Sequence, residues 1–405
     1  MMTGETREKF NIPKEWKISQ IGAIFNIKQG KSLSRQKQKG NLCRKFLRTS
    51  NIFWGRLNLS TIDEMNFTED ECKKLELQYG DLLVCEGGDI GRTAIWRNEL
   101  FDCYYQNHLH RLRTLDNTVS PFYVMFWLQA GMTQLGIYEG LGNKTTIPNL
   151  SRSRLSEFDI FLPLLPEQNK IAAVLYKIQK AIEMQEKIIE SIKELKKSTM
   201  QHLFTKGTRG EKTKQTEIGE IPESWKVLNF IELATLHRGY DLPEQSRKSG
   251  NIPIIGSNGL VGFHNVSKIK GPGVVTGRSG SIGISYYIVE DFWPLNTGLY
   301  VEDFHGNSPL YTHYFFESFD FRQYISGVSV PTLNRNFVHT VKIPRPGKDE
   351  QQEIAKILLT IDNKIEISMS KKTTLQTLFK SMLNKLMTGD IRVKDLEIDV
   401  SEIEI

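Results

Sequence analysis

The side chains in this sequence with spacing suited to chemistry are mainly donors and acceptors that could read a polar surface. Between Trp16 and Ile62 there is no Asp or Glu, while Lys17, Lys28, Lys31, Arg35, Lys37, Lys39, Arg44, Lys45, Arg48 and Arg56 are all basic. A second acid-free stretch runs from Gln245 to Val289 and holds Arg247, Lys248, Lys268, Lys270 and Arg278. A solvated face accounts for one such run. Two of them in one chain fit phosphate contact better, because neutralising a polyanion releases its counterions. Bases are read by bidentate side chains, Arg on guanine and Asn or Gln on adenine. Candidates for that role are Gln36, Arg44, Arg48, Asn51, Asn107, His108, Asn143 and Lys144 near the first stretch. Near the second they are Arg247, Lys248, Ser257, Asn258, Arg278, Ser279 and Asn296. Taken singly, the Asn and Ser members suit turns equally well.

Catalytic signatures are thin beside this. Gly30-Lys31-Ser32 ends like a phosphate loop, but Phe25 stands where the first glycine of that loop is required. His108 and His110 would share one face of a strand, yet no nearby Cys, Asp or His completes a metal set, so a structural or DNA-contacting His108 is expected. Cys43, Cys72, Cys85 and Cys103 form no Cys-x-x-Cys pair and read as buried or half-buried thiols. No two prolines are adjacent, which excludes the Asn/Asp-Pro-Pro-aromatic signature of amino-group DNA methyltransferases. The opening MMTGETREKFN has no apolar signal core, and the longest apolar run, Tyr123 to Leu128, is too short for a bilayer, so a cytoplasmic protein is expected.

These residues must be held by something, and the chain supplies it twice. Its 405 residues, 39% apolar and 25% charged with net charge +6, are ordinary for a soluble protein of two or three domains. Ile12-Pro13-Lys14-Glu15-Trp16-Lys17 returns as Ile221-Pro222-Glu223-Ser224-Trp225-Lys226, and Gly30 as Gly239. Gly87-Gly88-Asp89-Ile90-Gly91 resembles Ser279-Gly280-Ser281-Ile282-Gly283, a turn shared by both copies. Ile147-Pro148-Asn149-Leu150 matches Val330-Pro331-Thr332-Leu333, and Glu167-Gln168 matches Glu350-Gln351. The offset falls from 209 at Ile12 to 183 at Glu167, so the second copy is 26 residues shorter.

Each copy has two parts. Residues 12 to 163 and 221 to 344 carry short Val, Ile, Tyr and Phe runs broken by Gly, Pro and Asn, which predicts short strands with one helix near 122–135 and another near 309–325. From Glu167 to Phe204, and again from Glu350 to Met387, no Gly or Pro occurs and apolar residues recur every three or four positions. In the first run they are Ile171, Leu175, Ile178, Ile182, Ile189 and Ile192, widened by Val174, Ile188, Leu195 and Leu203. That is a helix with one buried stripe, about 57 Å long, too long to pack on one small domain. The economical solution pairs the two helices antiparallel as a coiled coil, with Gly207 and Gly389 as left-handed caps. Breaks at Gln185, Ser368 and Lys372 predict an imperfect or partner-covered seam. The expected fold is α+β: a pseudo-twofold internal repeat of two similar globular domains joined by two long antiparallel helices.

The combination of Ile-Pro-x-x-Trp-Lys openings, Pro-x-Leu closures and Glu-Gln helix entries resembles the specificity subunit of type I restriction-modification systems. The closing Leu386-Met387-Thr388-Gly389-Asp390-Ile391-Arg392-Val393 is similar to that family's usual C-terminal sequence, and the resemblance covers nearly the whole chain. It departs at Lys348-Asp349, where Pro-x is more usual. The resemblance implies a first target recognition domain over 1–163, a spacer helix over 164–207, a second target recognition domain over 208–344, a second helix over 345–391 and an acidic tail over 392–405. It implies that each globular domain reads half of a split, asymmetric double-stranded DNA site, with the helices setting the spacing and docking methyltransferase subunits. The partners implied are two methyltransferase subunits and two ATP-dependent restriction subunits. S-adenosylmethionine, ATP and Mg are expected on them, with no cofactor, metal or catalytic residue on this chain. The DNA-contact set expected is Lys31, Arg35, Gln36, Lys37, Lys39, Arg44, Lys45, Arg48, Asn51, Asn107, His108, Asn143 and Lys144 in the first domain. In the second it is Arg247, Lys248, Ser257, Asn258, Lys268, Lys270, Arg278, Ser279 and Asn296. The alternative is a non-catalytic adaptor with two RNA- or protein-binding heads.

Overall fold

The computed structural model describes residues 7–32, 42–136, 149–327 and 331–403. The chain divides into two units, Met1–Glu186 with Lys371–Ile405, and Lys187–Ser370. Each unit holds one head together with parts of both long helices.

The strands of the first head are β1 (Lys17–Gln20), β2 (Phe25–Gln29), β3 (Cys43–Leu47), β4 (Ile52–Phe53), β5 (Arg56–Leu57), β6 (Asp63–Asn66), β7 (Leu82–Cys85), β8 (Thr93–Ile95), β9 (Cys103–Tyr105), β10 (Leu109–Thr114) and β11 (Asp159–Leu162). A four-stranded antiparallel sheet has the order β2-β10-β7-β8, and a three-stranded one the order β6-β3-β9 with β3 and β9 parallel. β7 is Leu-Leu-Val-Cys and buried at every position, as a strand between two layers requires. Helix α1 (Pro121–Thr133) starts with proline after Ser120 and is apolar almost all round, so it is buried in the core with Trp16, Phe161, Ile171 and Leu175.

In the second head β12 (Thr213–Thr216) and β13 (Gly219–Pro222) form a hairpin ahead of β14 (Lys226–Asn229), β15 (Thr235–Arg238), β16 (Ile252–Gly256), β17 (Gly259–His264), β18 (Gly273–Gly277), β19 (Ser285–Ile288), β20 (Trp293–Pro294) and β21 (Gly298–Asp303). The short pair β22 (Ile325–Ser326) and β23 (Thr332–Leu333) and the strand β24 (Lys342–Arg345) complete it. The sheets repeat: β15-β21-β18-β19 copies β2-β10-β7-β8, β17-β16-β20 copies β6-β3-β9 down to the parallel β16–β20 pair, and β14-β24 copies β1-β11. Helix α3 (Pro309–Ser318) stands where α1 does; here α2 is the long helix Leu165–Lys206 and α4 is Lys348–Thr388. The length difference is legible in two connections. β3 and β6 are linked through residues 48–62, which fold as the β4–β5 hairpin, whereas β16 and β17 are linked by Ser257 and Asn258 alone. Between β6 and β7 lies a helix, Glu69–Leu75, that residues 265–272 replace with a short link.

α2 has 42 residues and α4 has 41. Within the first unit they run antiparallel, Ile171 and Leu175 clustering with Leu383, Leu386 and Met387 while Glu186 meets Lys372 at 2.9 Å. In the second unit Leu203 clusters with Ile354 and Leu358, and Lys196 meets Asp362 at 2.8 Å. Gly207 and Gly389 have φ of 68° and 78°, the left-handed caps that their position predicts. The stripe is narrower than the periodicity predicts: Ile188 and Leu195 are 39% and 55% exposed. At the predicted breaks, Gln185 is buried in place of an apolar residue, and Lys372 is matched by Glu186.

The repeated motifs have structural reasons. Gln168 Oε1 accepts from Ser120 N at 2.9 Å, fastening the start of α1 to the long helix, and Gln351 Oε1 does the same for Ser308 N at 3.0 Å. Gly30 and Gly239 pass so close to the carbonyls of Gln106 and Leu295 that a Cβ would collide with them. Trp225 Nε1 donates to the buried Glu350 at 2.9 Å. Its counterpart Trp16 finds no acceptor among the described residues, because Arg392 takes Glu167 through two bonds of 2.7 and 2.8 Å. The acidic tail is folded onto the first unit: Val393 and Ile403 are buried, and Lys180 meets Glu402 at 2.7 Å.

Candidate nucleic-acid interface

The second head gathers five of its candidates at one end. Ser257 and Asn258 form the β16–β17 turn, Arg278 and Ser279 follow β18, and Asn296 precedes β21. Thr297 binds these three loops together: its carbonyl accepts from Arg278 N at 2.9 Å and Ser279 N at 3.2 Å, and its hydroxyl accepts from Ser257 N at 3.2 Å. Ser281 donates to Asn258 at 2.6 Å, and Asn296 donates to Asp241. Lys268 and Lys270 lie elsewhere, beyond the far end of β17, where the Lys268 ammonium stands 5.1 Å from the Trp293 ring centroid. Arg247 lies 4.0 Å from Glu244, while Lys248, Lys268, Lys270 and Arg278 meet no carboxylate among the described residues.

In the first head the cations are differently placed. Lys31 is 7% exposed and turned inward, its ammonium on Asn66 O at 2.8 Å and paired with Glu71. Burial opposes ionisation of Glu71, but hydrogen bonds from Lys31 and Thr68 outweigh it and lower its pKa. Arg44 meets Asp102 at 2.5 Å, and Arg48 meets Asp63 at 2.6 Å. Asn51 is buried, its amide donating to Asn58 O and Thr61 O and its oxygen accepting from Arg48 N, so it shapes the 48–62 connection. Lys45 is exposed on β3. Arg35, Gln36, Lys37, Lys39, Asn143 and Lys144 lie outside the described residues.

Asn107 and His108 remain at the surface, on a concavity of about 390 Å³ with Gln29, Thr49, Glu86 and Asn149. His108 is exposed in the loop before β10, whereas His110 is buried within it, so the two imidazoles do not share a strand face. Burial lowers the pKa of His110, whose Nε2 donates to Leu150 O at 2.8 Å. Among the described residues no group of three or more His, Cys, Asp or Glu could hold a metal, and no helix is long and apolar enough to cross a membrane. Cys85 and Cys103 are pushed up to about 12 by burial; Cys72 is half-buried and Cys43, against expectation, is exposed at the head of β3.

Glu86 escapes a search for basic and amide side chains. The repeat marks it, because the Gly87–Gly91 match to Ser279–Gly283 sets Glu86 against Arg278. In both heads the residue at this position is clamped identically. Glu86 N donates to His108 O at 2.9 Å and Glu86 O accepts from Leu150 N at 2.7 Å; Arg278 N donates to Thr297 O at 2.9 Å and Arg278 O accepts from Leu333 N at 2.8 Å.

The pattern of the type I restriction modification DNA specificity domain matches this sequence at residues 13–194 and again at 222–377. The chain belongs to that family. Its two matched segments fall on the two heads and the helices that follow them. Among relatives, the type I restriction enzyme MjaVIII specificity subunit of Methanocaldococcus jannaschii is 24% identical, covering 95% of each chain. Among solved structures, the S subunit of a type I restriction-modification system from M. genitalium has a TM-score of 0.61 at 18% identity, over 93% of this chain and 96% of that one. A chain from a structure of a type I restriction-modification system described for its complex assembly and conformational transition has a TM-score of 0.57 at 12% identity, over 94% and 99%. In this specificity family the function is DNA sequence recognition.

Proposed function

We propose that this chain is the sequence reader of a type I restriction-modification complex, each head reading one half of a bipartite, asymmetric double-stranded DNA site. The observation that carries this reading is the duplication of one framework whose loop ends differ. Two sheets, a core helix and the residue clamp are repeated, while the half-buried side chains at the clamp and those on the adjoining loops are not. A framework conserved between copies positions contacts, and the divergent tips supply different base readings. We assign the heads to 12–163 and 221–344 and the helices to 164–207 and 345–389. In this reading the helices set the distance between half-sites and dock two methyltransferase subunits, which carry S-adenosylmethionine. Two restriction subunits supply ATP and Mg chemistry, the chain itself is non-catalytic, and the complex works in the cytoplasm.

Sequencing the methylome of cells that carry the complete complex tests this. A methyladenine motif in two halves separated by a fixed spacer is expected; an undivided motif, or no motif, overturns it. Inserting four residues after Glu190, about 5.4 Å of helix, should lengthen the spacer by one to two base pairs. An unchanged spacer would remove the helices from that role.

A further inference from the structure

We propose that Glu86 is a specificity-determining residue of the first head and accepts a hydrogen bond from the exocyclic amino group of a cytosine, where Arg278 at the matching position of the second head donates to guanine. The inference deepens the two-head reading and rests on it. Both residues are fixed by the same pair of backbone bonds, to His108 and Leu150 in one head and to Thr297 and Leu333 in the other. These bonds use no side-chain atom, so the frame presents a side chain at a set place and leaves its chemistry free to change. The Glu86 carboxylate lines the concavity of about 390 Å³ together with Asn107 and His108. Gln29 Nε2 orients it, donating at 2.9 Å both to Glu86 Oε2 and to Asn107 O. Glu86 makes no ion pair among the described residues, whereas the neighbouring Asp89 pairs with Arg92. A carboxylate facing a polyanion is repelled by phosphates, so what it gains from DNA must come from a donor on a base edge. Cytosine carries an amino donor and no acceptor of its own in the major groove, whereas adenine sets N7 next to N6 and suits a two-sided amide. An ionised carboxylate only accepts, which matches cytosine.

The experiment uses the complete methyltransferase complex. Its wild-type methylome first defines the two half-sites; failure to find two halves would sink the two-head reading and not this one alone. Glu86→Gln keeps the shape and adds a donor. It should relax one C·G position to accept A·T in a single half-site, the half that Arg278→Ala leaves untouched. Purified wild-type complex should also bind roughly tenfold more weakly to duplexes in which that cytosine is replaced by pyrimidin-2-one, which lacks the amino group, and Glu86→Gln should lose this sensitivity. An unchanged motif in Glu86→Gln overturns the inference, as does a first half-site without any C·G pair. If Glu86→Gln fails to assemble, the wild-type series decides: pyrimidin-2-one tolerated at every cytosine of that half-site overturns it.

Discussion

The two heads share strand order, core helix and clamp, yet they treat charge in opposite ways. In the first, Arg44, Arg48 and Lys31 are answered by Asp102, Asp63 and Glu71, all drawn from outside the acid-free stretch. In the second, Lys248, Lys268, Lys270 and Arg278 have no such partners among the described residues. The anchoring of the long helices differs too. Glu350 holds Trp225 and the Thr208 amide, whereas its counterpart Glu167 holds Arg392 and leaves Trp16 without an acceptor among the described residues. A duplicated framework keeps its backbone bonds and core volumes, because each change there costs stability. Surface charge and the choice of partner for a buried acid vary more cheaply.

The anchoring contrast predicts the largest effect. Glu350→Ala strands the Trp225 indole N–H and the Thr208 amide, at a cost of about 3 kcal/mol confined to the second unit. Hydrogen exchange should show that unit opening while the first stays protected; equal loss in both units would break the picture of two separately anchored units. Arg392→Ala should cost the first unit less, about 1–2 kcal/mol, since Glu167 can then accept from Trp16 as Glu350 does from Trp225. The readout is its chemical-denaturation midpoint, and a loss larger than that of Glu350→Ala would refute the equivalence of the two acids.

The charge contrast predicts smaller, graded effects on DNA affinity. Lys268→Ala and Lys270→Ala should each reduce the salt slope of duplex binding by about 1, while Arg44→Ala and Arg48→Ala, whose cations are already neutralised, should reduce it less. Equal slopes for all four would remove the asymmetry. The smallest effect is on pH dependence. Burial lowers His110 in the first head and His313 in the second below the ordinary imidazole value of 6.5, against the pull of Glu86 on the former and of Glu317 and Asp362 on the latter. Folded pKa values below unfolded ones mean that the unfolded chain binds more protons as pH falls. Both heads should therefore be fully stable above pH 6.5 and lose stability as pH drops through the folded values. His110→Gln should flatten that fall in the first unit alone, as read from melting temperature against pH.

Much of this architecture was written in the sequence. The Ile-Pro-x-x-Trp-Lys and Glu-Gln repeats announced the duplication, and the absence of Gly and Pro across 167–204 and 350–387, with apolar residues every three or four positions, announced the helices and their glycine caps. These signals are local or self-referential, so neighbours along the chain are enough to produce them. The exposure of Ile188 and Leu195 was not legible, because periodicity gives the centre of a stripe but not how wide a face the partner covers. Tertiary structure alone decided which cations are available and which are neutralised. Arg44 meets Asp102, and Arg56 meets Glu186, across separations in sequence that no motif spans. It also decided that the acidic tail folds onto Lys177 and Lys180, and that Glu86 and Arg278 occupy one clamped position. The sequence determined a duplicated scaffold because repetition and period are properties of the chain itself; partnership between charges is a property of distance in space, which only the folded molecule sets.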